Sequence, residues 1–198
     1  MDQAEQLETI RQYVFNLFET DATGHDYHHM KRVALMAKKI AQEEQADVFM
    51  CEAAGWLHDV GDHKLFKRPA EIKEDMQKLL KNIELQTFSI DHINSIIQSV
   101  SYTSGKRIPA TLEGKIVQDA DRLDALGAVG IARTFAYGGF KHQPIFSDDE
   151  TERTSMRHFY DKLFKLSDMM HTQSARELAK ERHQFMEQFV EHFYKEWL

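Results

Sequence analysis

Apolar residues recur at helical intervals along almost the whole chain, and no stretch alternates apolar and polar residues as a half-buried strand would. With only 3 prolines and 9 glycines in 198 residues, that pattern restricts the chain to packed helices. The expected fold is all-α, one globular domain over residues 1–198 built as a bundle of about seven helices. The clearest stripe is His29, Val33, Met36 and Ile40, spaced i, i+4, i+7 and i+11, which puts a histidine on an apolar helix face.

The spacing predicts helices over residues 2–19, with Ile10, Val14, Leu17 and Phe18 on one face, and over about 28–43. A third runs from Asp47, as N-cap, to the His58 region, and a fourth from Pro69 to about residue 82. A fifth is capped at Ser89, with Ile93, Ile96, Ile97 and Val100 inward. A sixth starts near Ala110 and carries Ile116, Ala120, Leu123, Gly127 and Ile131 on one face, with Asp121 and Asp124 beside them. Helices over 152–168 and 172–197 close the chain. Residues 20–27, 64–68 and 101–109 read as loops. Residues 137–151, the least regular segment, read as a loop over a site or as a plain solvent loop.

Hydrophobic residues make up 42% of the chain, enough for a sizeable core. A net charge of -7 argues against binding a nucleic acid polymer, but not against a small anionic substrate, since a metal and a few lysines reverse the sign locally. The single cysteine, Cys51, excludes an intrachain disulfide and suits a reducing, cytoplasmic setting. The acidic N-terminus lacks the apolar stretch of a signal peptide, and no apolar run approaches the ~18 residues of a membrane span.

Chemistry concentrates in Gly55-Trp56-Leu57-His58-Asp59-Val60-Gly61-Asp62-His63-Lys64. Imidazole and carboxylate together suit Mn, Fe, Co or Zn. Adjacent helical residues point about 100° apart, so His58 and Asp59 can share an ion only where the backbone gives way, and Gly61 marks such a place. His29 is either a core histidine bonded to a carbonyl or a metal ligand. Asp121 and Asp124 lie in Asp119-Ala120-Asp121-Arg122-Leu123-Asp124, either as ligands or in salt bridges to Arg122 or Arg133, and spacing does not choose among the aspartates. Cys51 lies about 10 Å along the helix from His58, too far to share its metal. The stripe Phe185, Phe189, Phe193 and Trp197 is expected in the core or at a homodimer contact.

His29, then His58-Asp59, then Asp121, in that order and in a helical chain, resemble the H…HD…D signature of the HD metal-dependent phosphohydrolase superfamily. The segments His25-Asp26-Tyr27-His28-His29, Arg122 through Arg133, His158-Phe159-Tyr160-Asp161-Lys162-Leu163 and Arg176 through Met186 are similar to its small bacterial YpgQ/YedJ-type branch, so the resemblance covers nearly the whole chain. It implies a metal-binding core over about residues 20–135 with C-terminal helices 150–198 packed on it. It also implies that His29, His58, Asp59 and Asp121 hold one divalent metal, Mn foremost, with Mg, Fe, Co, Ni or Zn as alternatives. Bimetallic members carry paired histidines between the HD pair and the last aspartate; here that interval offers only His63 and His92.

Asp62 is similar to the acid of an HDxxE arrangement that deprotonates the attacking water; the alternative is an ordinary helix-end carboxylate. Lys64 reads as a phosphate contact or a solvated lysine, Asp124 as a ribose contact or an acceptor behind the metal, and Arg182 as a phosphate contact or half of an internal ion pair. The implied activity is nucleoside or deoxynucleoside triphosphate pyrophosphohydrolysis. A nucleoside monophosphatase or phosphodiesterase would use the same ligands. Rivals of another class are a non-catalytic nucleotide-binding regulatory module and a purely structural helical protein.

Overall fold

The computed structural model describes residues 1–19, 24–100 and 108–197. Parts of the expected loops at 20–27 and 101–109 lie outside the described residues. Among those described, the regular structure is entirely helical: α1 (Gln3–Phe18), α2 (Tyr27–Glu43), α3 (Val48–Leu57), α4 (Pro69–Asn82), α5 (Thr87–Val100), α6 (Leu112–Asp124), α7 (Gly127–Phe140), α8 (Ser155–His158), α9 (Phe164–Leu166) and α10 (Gln173–Trp197). No described helix is long and apolar enough to cross a membrane.

The chain forms two compact units, Met1–Ala120 and Asp121–Leu198. In the first, α2 and α3 make the most intimate helix pair, and α1 and α5 pack against α3. The helix starts follow local chemistry. Asp2, Asp26 and Asp47 each accept a backbone N–H of the first turn, and Asp2 completes a capping box with Glu5. Pro69 opens α4. The α5 start differs from expectation: the Gln86 carbonyl accepts from Ser89 and Ile90, so Ser89 is buried within the first turn rather than capping it.

Small residues let α2 and α3 approach closely. Ala34, Ala37, Ala41, Ala53 and Ala54 are fully buried. A Cβ at Gly55 would stand 2.8 Å from the Ala34 Cα, a backbone atom that cannot swing aside. Around this contact lie Met30, Val33, Ile40, Trp56 and Leu57, with Ile10, Val14 and Phe18 contributed by α1.

In the second unit, α10 packs on α7. The expected sixth helix is in fact two helices. Leu126 turns extended (φ -111°, ψ 159°) and ends the continuity of α6 into α7. The irregular segment starts only after Phe140, later than expected. It is tied down, because the Pro144 and Ile145 carbonyls accept from the Ser155 and Met156 amides at 3.0 Å. The expected 152–168 helix is also broken: α8 runs through a π-helical turn (Phe159–Leu163) and α9 to a 3₁₀ turn (Ser167–Met169). Phe159 of that turn stacks on Phe189 of α10. The α10 stripe is only partly covered: Phe146 packs on Phe193 and Trp197, while Phe185 and Trp197 remain about half exposed.

Gly55→Ala tests the α2–α3 approach. Alanine favours a helix by about 1 kcal/mol over glycine, but overpacking against backbone costs about 1–3 kcal/mol. We expect net destabilisation, read as a lower urea midpoint at unchanged slope.

Candidate metal centre

His29 sits in the first turn of α2, its amide bonded to the Asp26 carboxylate at 2.8 Å, and it is 1% exposed. His58 follows the last residue of α3 and is also buried. Its Nδ1 lies 2.9 Å from the Gly55 carbonyl. A carbonyl only accepts, so Nδ1 carries a hydrogen, and in the neutral ring Nε2 presents its lone pair.

Asp59 lies where the helix gives way. Val60 donates to Leu57 at 3.0 Å and Asp62 donates to the Asp59 carbonyl at 3.1 Å, closing tight turns that end at Gly61. Gly61 has φ +76°, and a Cβ there would meet Lys73 Cγ at 2.6 Å. The backbone thus gives way next to His58 and Asp59, where Gly61 marked a break.

Both imidazoles face one carboxylate oxygen. Asp59 Oδ2 is 3.4 Å from His58 Nε2 and 3.7 Å from His29 Nε2, and the two rings stand edge to face at 5.2 Å. Burial pushes the Asp59 carboxyl upward, but the positive charge of His58 and His29, with that of His25, outweighs it when the rings are protonated and holds the group well below the usual carboxylate range. Donors bound to one ion at about 2.0–2.2 Å lie about 3–3.5 Å apart. The spacing and the N/N/O chemistry of this set therefore fit a divalent cation such as Mn, Fe, Co or Zn.

Asp62 Oδ1 accepts from the Lys64 amide at 2.7 Å and faces His63 Nδ1 at 3.5 Å. The Lys64 side chain is exposed. His92 faces Glu113 at 3.5 Å. Asp121 lies half-buried in the last turn of α6. Asp124 is 5% exposed and pairs with Arg133 Nη1 at 2.7 Å. Arg182 donates to the Leu123 carbonyl, and burial lowers its pKa against the support of Asp124. The pairing expected for Arg182 is thus to a helix end. His25, which sequence reasoning left without a role, stands edge-on to His29 at 5.5 Å. Its signal was its place one residue before the α2 N-cap and four before His29.

The HD domain model matches residues 26–126. The chain is 40% identical to the uncharacterized protein YpgQ of Bacillus subtilis, across 99% of this chain and 96% of the relative. The crystal structure of B. subtilis YpgQ in complex with ADP superposes with TM-score 0.85 at 40% identity, covering 99% of this chain and 97% of that one. An HD-superfamily hydrolase from Bacillus thuringiensis superposes with TM-score 0.81 at 41% identity, covering 99% and 98%. This chain belongs to the HD-domain family.

The geometry at His58 predicts one tautomer. Long-range ¹H–¹⁵N correlation on metal-free protein at mildly alkaline pH should show His58 protonated at Nδ1. An Nε2-protonated ring would contradict the Gly55 anchor.

Proposed function

We propose that this chain is a metal-dependent phosphohydrolase acting on nucleotides, with pyrophosphate release from nucleoside or deoxynucleoside triphosphates as its reaction. The observation that carries this reading is the convergence of His58 and His29 Nε2 on Asp59 Oδ2 at 3.4 and 3.7 Å. In this reading His29, His58, Asp59 and Asp121 hold one divalent ion, Mn foremost, which supplies Lewis acidity toward a phosphoryl oxygen when bound. The nucleotide class is supported by the ADP bound to B. subtilis YpgQ, and hydrolysis by the B. thuringiensis relative. The reducing cytoplasm is the proposed setting, in keeping with one buried cysteine and no disulfide partner for it.

The chain's own residues have separate tasks. Ionised Asp59 supplies the negative charge of the cation site, and the Gly55 carbonyl keeps His58 in the ligating tautomer. The Lys64 amide fixes the Asp62 carboxylate through Oδ1, and Oδ2 is assigned to take a proton from the attacking water. Water oxygen bonds to the α-phosphorus, the α–β anhydride bond breaks, pyrophosphate leaves with the electron pair, and the proton passes to Asp62. Lys64 is assigned to the departing phosphates as a mobile point charge.

Mn-loaded protein should cleave nucleoside triphosphates in a panel, with product analysis giving pyrophosphate and monophosphate. Asp59→Ala should lose metal and hydrolysis while keeping its helical circular dichroism; full activity in that variant sinks the assignment. Asp62→Asn should lower kcat by about 10²–10⁴-fold at unchanged metal stoichiometry. Orthophosphate from monophosphates would instead define a nucleotidase, and nucleotide binding without cleavage a regulatory module.

A further inference from the structure

Helix C-termini leave their last carbonyls without intrahelical partners. The last turn of α6, which carries Asp121, meets this need with arginines from its own unit. Arg182 of α10 donates from Nη1 to the Leu123 carbonyl. Arg133 of α7 donates to the Asp124 carbonyl at 3.3 Å and to its Oδ2 at 2.7 Å. The Arg182 stem also covers Gly127, where a Cβ would stand 3.1 Å from its Cγ. Arg122, on the turn itself, reaches the Met169 carbonyl and lies 3.1 Å from His171 Nε2. Cations at a helix C-terminus are favourable in their own right. These contacts span 59 residues between Arg182 and Leu123, so the turn is fixed by α7 and α10 rather than by local sequence.

We infer that Arg182 is a positioning residue: together with the Arg133–Asp124 pair it locks the α6–α7 reversal and so fixes the carboxylate of Asp121 for its metal. This rests on the reading of Asp121 as a ligand given above. Arg182 and Asp124 then serve the metal site through the backbone of α6, and neither touches substrate. A lysine at 182 keeps the stem over Gly127 and one donor for the Leu123 carbonyl, while alanine keeps neither.

The test is titration of the full chain with Mn²⁺, followed by electron paramagnetic resonance, in four variants. Arg182→Ala should weaken Mn²⁺ binding by about 10–100-fold, as loss of a residue supporting a ligand does, at unchanged helical circular dichroism. Arg182→Lys should recover most of that loss. Asp121→Asn should weaken binding by itself, and adding Arg182→Ala to it should cost little more, because both act on one ligand. Unchanged Mn²⁺ affinity in Arg182→Ala overturns the inference while leaving Asp121 a ligand. Fully additive losses overturn it as well, since they mark a general effect on stability. Unchanged affinity in Asp121→Asn removes the ligand reading and this inference with it. Should Arg182→Ala fail to fold, Arg133→Gln is read by the same criteria.

Discussion

Gly55 carries two constraints at once. Its missing side chain lets α3 come within 2.8 Å, measured from a would-be Cβ, of the Ala34 backbone. Its carbonyl, three residues before His58, takes the Nδ1 hydrogen of that ring. The first sets the separation of α2 and α3, and the second sets the rotation of one imidazole between them. The edge-to-face pair of His29 and His58 at 5.2 Å follows from both. A larger residue at this point would push apart the two helices that carry the nitrogens, even though it touches neither ring.

The electrostatics of α3 separate a structural charge from a functional one. Glu52 is buried in the middle of the helix, and Lys38 of α2 answers it at 2.8 Å. That pair resolves its own desolvation. Asp59 is different: its near partners are imidazoles, which neutralise a carboxylate only when protonated. With neutral rings, nitrogen lone pairs and a carboxylate oxygen face one another, and a divalent cation complements all three together. With neutral rings such a set costs stability until a cation complements it, which is the role the proposed reading gives the metal.

The sequence was most legible where structure is local. Asp26, Asp47 and Pro69 announce helix starts because a cap and its first turn lie within a few residues. The break between α6 and α7 was not legible. Gly127 and Ile131 continue the helical spacing of Ile116 and Leu123, whereas the reversal is held by Arg133 and by Arg182, the latter from 59 residues away. The pairing of Asp124 with Arg133, nine residues on, was one of the alternatives its neighbourhood offered. His29 was readable as a polar group on an apolar stripe; the influence of His25 on Asp59 was not, because it depends on how the chain enters α2.

Spacing alone leaves Asp119, Asp121 and Asp124 as equivalent candidates for the α6 ligand, and burial separates them. Asp119 has no exposed surface, and Asp124 is 5% exposed and tied to Arg133. Asp121 is half-buried. A carboxylate neutralised by a guanidinium, as Asp124 is by Arg133, brings little charge to a cation. Asp121 is the member of the three that the proposed reading takes as ligand. Asp124 then belongs, through Arg133, to the framework that holds this turn of helix.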